Sequence, residues 1–433
     1  SQQFYNDATA FLTQIYEPME NGRLTASQQP GSDLSGKKQT KTYRGNLTDI
    51  IQLMCRRYVT TTDGQLSSNG LYAPGELEVC TEIDEDGHTT YTFTDFTGKT
   101  LLTRCMKGLE TFDTYYVYDP FGKLRFVLTP EATELHTNGT WNIADNSVLR
   151  NHAYYYRYDG KYRLVEQKQP GREPVYTKYD MSGTSIFTQD GNQRERQIWR
   201  FCIPDRYGRP ALQGECPAAC VPDISNVVVN CTFNATSQGW EGSHYEVSGM
   251  SLSDITLHQV FYYDGYQFLE TEGFSDRTAF PLPTVNAKGY QTGNMMNSAA
   301  GPIYSAFYYD PKGRMTRQVQ SNLAGGYDMK DIQYSFTGKP EVVTHLHTAT
   351  NQPSVTENYA YTYDPNERLT KVEHTLGGVT VTLVSNTYDE LGRLQSKTLH
   401  GLEANRLTYD YNLRGWLTAI NGNKFSQNLY YNT

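Results

Sequence analysis

Along most of this chain, short runs of aromatic and β-branched residues alternate with polar ones, and each run stops at a turn. Tyr115-Tyr116-Val117-Tyr118 leads into Asp119-Pro120-Phe121-Gly122, and Lys123-Leu124-Arg125-Phe126-Val127-Leu128 leads out. Such flanks fit a pleated sheet. Asp at the head of the turn can bond its own backbone two residues on, Pro presets φ, and Gly takes the left-handed conformation that other residues resist. A type I turn closed by a left-handed Gly is a common hairpin loop. The phrase predicts strand, tight turn, strand.

The phrase returns along the chain. Clear copies are Tyr309-Asp310-Pro311-Lys312-Gly313-Arg314-Met315 and Tyr388-Asp389-Glu390-Leu391-Gly392-Arg393-Leu394. Phe93-Thr94-Asp95-Phe96-Thr97-Gly98-Lys99 puts Phe ahead of a Thr-Asp pair, and Tyr334-Ser335-Phe336-Thr337-Gly338-Lys339 replaces Asp by Ser. Tyr179-Asp180-Met181-Ser182-Gly183 lacks the basic residue, Tyr363-Asp364-Pro365-Asn366-Glu367-Arg368 lacks the Gly, and Asp205-Arg206-Tyr207-Gly208-Arg209 lacks the leading Tyr. Tyr158-Asp159-Gly160 and Tyr263-Asp264-Gly265 place Gly next to Asp, which favours a tighter two-residue turn. Tyr409-Asp410 through Trp416 reads as a lengthened final copy. The turn residue falls at 95, 119, 159, 180, 205, 264, 310, 335, 364, 389 and 410, with many gaps of about 21–25 residues. That length holds two strands and their connections. An internal repeat decides the fold ahead of any single motif. The expectation is an all-β array of antiparallel hairpins over 93–433, with lead-in strands and loops over 1–92 and an insertion at about 215–260.

Other segments are less regular. Gln28-Gln29-Pro30-Gly31-Ser32 and Gly36-Lys37-Lys38 mark loops. Leu47, Ile50, Ile51, Met54 and Tyr58 have helical spacing behind Asn46, while a strand from Ile50 into Cys55-Arg56-Arg57-Tyr58-Val59 fits equally. Asp84-Glu85-Asp86-Gly87, between Glu76–Val79 and Tyr91–Phe93, reads as a hairpin. Val227-Val228-Val229 and Ile255-Thr256-Leu257 read as strands of the insertion. Residues 281–303, rich in Gly, Asn, Pro and Ala, read as a long surface loop.

Composition sharpens this picture. Apolar residues are 37%, with 35 Tyr, 36 Gly and only 4 Trp. Ordinary globular chains are roughly 45–50% apolar, a figure that also counts Gly. A wide β-structure that its own side chains cannot fill leaves a lumen, and Tyr suits such a wall because its ring packs while its hydroxyl reaches water or a partner. The net charge of −9 disfavours nonspecific nucleic-acid binding. No stretch is long and apolar enough to span a membrane as a helix. The opening Ser1-Gln2-Gln3-Phe4-Tyr5 is neither basic nor followed by an apolar run, as in a mature form or an excised piece, and the strand-like close at Tyr430-Tyr431-Asn432-Thr433 suggests a cut inside a longer protein.

Candidate chemistry is sparse. Cys216 and Cys220, with Cys231, His244 and His258 beyond, could hold zinc, but their spacing departs from finger patterns; a pair within the cluster could instead be a disulfide. His345 and His347 share one face of a strand, more simply as a surface pair. Asp84-Glu85-Asp86-Gly87 lacks the downstream acidic ligand of a calcium loop. Turn carboxylates such as Asp119 and Asp389 recur too often to be catalytic. Asn46, Asn138, Asn230 and Asn234 each head an Asn-x-Thr pattern that is common by chance. There is no Walker loop, dinucleotide fingerprint, zinc-protease helix or nucleophile elbow. No catalytic residue, cofactor or metal is expected.

With these residues in view, the repeats resemble the YD repeats of the RHS family, found also in insecticidal toxin-complex shells and in teneurins. Asp84 through Asp95, Thr114 through Leu128 and Tyr409 through Leu417 further resemble the long RHS proteins of gut Bacteroidetes. The resemblance implies hairpins wound as a spiral sheet into a hollow cocoon. It implies an exported, noncatalytic shell, at the cell surface or outside the cell, that encloses its own C-terminal toxin. The teneurin kinship implies the alternative of adhesion to a cell-surface glycan or protein. One departure matters: the RHS core that follows the repeats, with its self-cleaving Asp segment, is not in this sequence.

Overall fold

The computed structural model describes residues 12–18, 22–29, 37–60, 64–108, 110–135, 139–283 and 287–431. The opening Ser1–Tyr5, Pro30–Ser32 and Gly36 of the early loops, Asn138, and Asn432–Thr433 lie outside them.

One sheet of 27 strands dominates. It begins at Thr13–Tyr16, which pairs only with Leu24–Gln28, and ends at Gln427–Asn428, which pairs only with Leu417–Gly422. Neighbours in space are neighbours along the chain, and its pairings are antiparallel, as short hairpin connections demand. The two end strands do not pair with each other, so the sheet is open among the described residues. Two small sheets stand apart: Arg56–Thr60 with Gln65–Leu71 and Gly139–Asn142, and Asn230–Phe233 with Tyr245–Ser248.

Strand alternation sends one row of side chains to a single face. Register carries it through Val79, Phe93, Leu102, Tyr115 and Leu128. The same face continues through Phe187, Phe201, Leu212, Val260, Met295, Ala306 and Val319. Two groups of segments cover it. Leu53, Cys55, Tyr58 and Leu66, with Ala132 and Leu149 of the short helices Pro130–Leu135 and Ser147–His152, close over its first part. Cys231 and Tyr245 of the excursion between Pro210–Pro217 and Thr256–Asp264, with Phe268, Phe274 and Phe280, close over the second. Burying rings of this size is the main driving force available to the fold. Past Val343 the covering stops: Ser396 is the only buried residue among those described there. The wall is then a single layer. On the formerly apolar face it carries Thr344, Asn358, Thr375, Ser385 and Thr398, which suit water on a bare sheet.

Several sequence expectations change. Residues 281–303 are not a surface loop, because Ala287–Ser298 and Gly301–Tyr309 are strands of the main sheet. Gly293 is there because Phe268 lies on it; a Cβ would meet that ring at 2.5 Å. Val227–Val229 form no strand. They cap a turn instead, with Val229 N–H donating to Asp180 Oδ2 at 3.0 Å. Thr256–Asp264 belongs to the main sheet rather than to the insertion, which leaves 218–255 as the excursion. Over 46–58 the chain makes one 3-10 turn, Ile51–Leu53, then the strand Arg56–Thr60. Asn46 is fully buried and caps no helix: its amide donates to Tyr72 and Ala73 carbonyls, and its Oδ1 accepts from Leu77 N–H.

Candidate functional site: the turn-bearing edge of the sheet

Because each repeat hairpin turns in the same sense, their turns gather along one edge. At Asp310, Oδ1 accepts the N–H groups of Lys312 and Arg314, both at 2.9 Å, while Gly313 N–H returns to the Asp310 carbonyl. Oδ2 accepts Arg314 Nε at 2.7 Å. Asp159, Asp364 and Asp389 repeat this with Arg163, Arg368 and Arg393. Asp205 does so with Arg209. Asp119 takes its guanidinium from Arg125 instead, since Lys123 holds the usual basic position. Asp95 and Asp180 keep the backbone bonds, and Ser335 accepts Lys339 N–H through its hydroxyl. Gly122, Gly183, Gly208, Gly313, Gly338 and Gly392 have φ from 77° to 95°, the left-handed region they were expected to fill.

The Tyr ahead of each turn sits at a register shift opposite the residue six positions on: Tyr118 at Leu124, Tyr309 at Met315, Tyr388 at Leu394. Its hydroxyl reaches back one hairpin. Tyr179, Tyr334, Tyr363 and Tyr388 donate to the carbonyls of Leu164, Met315, Pro340 and Leu369 at 2.8–2.9 Å. Tyr263 and Tyr309 donate to Pro210 and Gln291. The Arg of the previous turn lies over this ring, at 5.0 Å for Arg163 on Tyr179, 4.8 Å for Arg314 on Tyr334 and 4.7 Å for Arg368 on Tyr388. Arg163 and Arg314 also donate to the carbonyl of the next turn residue, Asp180 and Ser335. Tyr158 is capped by Lys123 and Arg125. The edge is thus a chain of Asp, Arg and Tyr in which most hairpins hold their successors, the turns at Asp180 and Ser335 lacking the guanidinium. The sequence showed the residues, but their coupling across hairpins depends on register; its only trace is a basic residue that precedes the next Tyr in most copies.

This geometry charges the carboxylates. Backbone and guanidinium hydrogen bonds from Arg368 hold Asp364 below the usual carboxylate range. For Asp95, Asp159, Asp180, Asp310 and Asp389, burial opposes the charge, yet hydrogen bonds to the turn outweigh it and these carboxyls are lowered too.

Three copies differ from their sequence reading. Asp159 does not head a two-residue turn. It makes the ordinary one, with Tyr162 in the glycine slot at φ 60°, as Glu367 is at φ 61° in the Asp364 turn. After Tyr263-Asp264 no tight turn forms, because the chain leaves on the loop that carries Phe268, Phe274 and Phe280, and pairing resumes at Ala287. Asp264 instead receives Arg209 at 3.0 and 2.7 Å and Gly289 N–H at 2.7 Å. The final copy is shifted by two. Tyr411 and Asn412, not Tyr409 and Asp410, hold the repeat positions, because an amide oxygen accepts the Arg414 and Trp416 N–H groups as a carboxylate does. Tyr411 hydroxyl reaches Leu394, while Asp410 accepts Asn421 on a strand.

The other candidates scatter. His347 meets Asp328 at 2.5 Å, and His345 lies beside the Tyr359 ring. Cys216, Cys220 and Cys231 are free thiols; burial pushes Cys216 up to about 11 and raises Cys231 as well. His244 bonds the Ser237 carbonyl, and His258 lies 3.6 Å from Glu215. Asp84 closes a hairpin by accepting Asp86 and His88 N–H groups. Among the described residues no three His, Cys, Asp or Glu side chains converge as metal ligands, and no helix is long and apolar enough to cross a membrane. A cleft of about 660 Å³ lies beside the Asp205 turn, lined by Arg206, Tyr207, Phe233, Tyr263, Asp264 and Lys288.

No family model matches the chain, and no curated protein does. Among solved structures, a crystal structure of TcdB2-TccC3 matches with a TM-score of 0.53 at 12% identity, over 94% of this chain and 18% of that one. The structure of a Photorhabdus luminescens Tc holotoxin pore with the TccC3 mutation D651A matches at TM-score 0.33 and 12% identity, over 94% of this chain and 21% of the other. The first likeness shows an RHS-like fold. The chain spans less than a quarter of the length of either structure's chain.

Proposed function

We propose that this chain is a noncatalytic stretch of shell wall in a larger exported RHS protein, of the kind found in gut Bacteroidetes, that encloses a C-terminal toxin or effector. The observation that carries the reading is the open sheet in chain order, pinned hairpin to hairpin by Asp, Arg and Tyr. That design extends a wall strand by strand, with no core of its own along the strands after Val343. In this reading residues 1–92 lead into the array, 218–255 form an insertion, and containment is the mechanism: the wall separates a segment from solvent and protease rather than transforming it. The test uses the full-length gene product. A downstream segment that resists protease in the intact protein, and is digested once the wall is opened in denaturant, supports the reading. A gene ending here, or a downstream segment cut equally fast with and without the wall, refutes it.

The cleft beside Asp205 favours a second reading, adhesion through a cell-surface glycan or protein. Tyr207 and Tyr263 line it with rings that Arg206 and Arg209 overlie, and Lys288 stands beside them, an aromatic and basic lining of the kind that holds a polar ligand. A glycan array probed with this chain and with Tyr207→Ala decides it: binding lost in the variant supports adhesion, and a blank array removes it.

A further inference from the structure

The tips of four successive turns carry large apolar side chains in solvent. Phe96 is 86% exposed, Phe121 67%, Met181 51% and Tyr162 45%. The turn itself does not require them. At the positions of Phe96, Phe121 and Met181 the Asp310 turn has Pro311 and Lys312, and the Asp364 turn has Pro365 and Asn366, with the same hydrogen bonds; Tyr162 stands one place on, where the sister turns have Gly313 and Glu367. The four turns are contiguous. Lys99 Nζ lies 5.5 Å from the Tyr118 ring, the Phe121 and Tyr162 rings are 5.6 Å apart, and Arg163 donates to the Asp180 carbonyl at 2.6 Å.

Basic side chains outnumber free acidic ones beside these tips: Arg56, Arg57 and Lys99 line the pocket at Phe96, with Glu76 the exposed carboxylate among them. Lys99 and Lys123 stand next to the rings, and Lys161 is exposed at its own tip. The turn carboxylates of Asp95, Asp119, Asp159 and Asp180 face inward, each accepting backbone N–H groups. The rim therefore offers rings and lysines to whatever covers it, although the chain as a whole is acidic. A contiguous apolar patch on a surface marks a binding site. Neighbouring hairpins stand two strands apart, about 9–10 Å, wider than the step between stacked bases, and Met181 offers no ring face. An interface without register suits them better.

We propose that this rim is a peripheral docking surface for an anionic lipid bilayer, with Phe96, Phe121 and Met181 entering the headgroup boundary and Lys99, Lys123 and Lys161 meeting lipid charge. The test is co-sedimentation of the 433-residue chain with vesicles of pure phosphatidylcholine and with vesicles holding about 30 mol % phosphatidylserine. The expected result is binding to the second only, weakened by salt. The double variant Phe96→Ser, Phe121→Ser should weaken it by about tenfold or more. Phe336→Ser, at an isolated tip 91% exposed, should leave it unchanged. Circular dichroism and unfolding midpoints matching the parent show that the variants fold. No sedimentation with either vesicle, or binding indifferent to the double variant, overturns the proposal. So does release of the bound chain by a single-stranded oligonucleotide, or a dimer in solution that the double variant dissolves without any vesicle binding.

Discussion

Arg209 is the residue on which most converges. Its Nε bonds Asp205, and its two terminal nitrogens grip Asp264, 55 positions away, where a hairpin turn is missing. Asp264 is held below the usual carboxylate range by Arg209 first and by Gly289 N–H in addition. Removing the guanidinium leaves two carboxylates facing each other. Arg209→Ala should cost about 2–3 kcal/mol of stability, against about 1 kcal/mol for Arg368→Ala, which holds one carboxylate, Asp364, and the Tyr388 ring. Urea unfolding of the two variants separates them; equal losses would show that the Asp264 link contributes nothing. Glu367 points the other way. It is exposed and left-handed in a slot that its sister turns fill with Gly, so Glu367→Gly should raise stability by about 0.5–1 kcal/mol after the entropy Gly gains in the unfolded chain is subtracted.

At the scale of the hairpin, the turns set the response to acid. Asp95, Asp159, Asp180, Asp310, Asp364 and Asp389 are all lowered in the folded chain. A lowered carboxyl stabilises the fold fully above its unfolded value, about 3.9, and loses that contribution as pH falls through the folded value. Unfolding midpoints should therefore change little through these groups from pH 7 to 5 and drop steeply below about pH 4. A decline already under way at pH 6 would point to other groups. Hairpins were legible in the sequence because turn chemistry is local: Asp, Gly and the flanking Tyr announce themselves wherever they fall. Ala287–Ser298 was not, because Gly293 and Gly289 look like loop residues until Phe268 is seen lying on the strand. Gly293→Ala puts a methyl against that ring and the Ser305 carbonyl and should destabilise by about 1–3 kcal/mol, read by thermal melting. The shift from Tyr409 to Tyr411 was hidden for a plainer reason, since a Tyr-Asp pair stands two residues ahead of the Tyr-Asn that makes the turn.

Over the whole molecule, stability is unevenly spread. From Val79 to Val319 one face is sealed by inserted segments, whereas strands after Val343 have water on both sides. Amide exchange should be slowest in Phe93, Leu102 and Phe126 and markedly faster across Val355–Tyr363 and Arg406–Tyr411; uniform protection would mean that the bare part has cover not seen in this chain. None of this division was visible in the repeat, whose copies look alike on either side of it. The Arg-to-next-Tyr fastening has a last consequence. Since each clasp in the bare part after Val343 joins only neighbouring hairpins, lengthening or shortening the sheet there asks for no redesign elsewhere. A gene that duplicates or drops the stretch from Asp364 to Asp389 keeps the neighbouring clasps in phase, so the length of the sheet can drift by whole modules through unequal recombination.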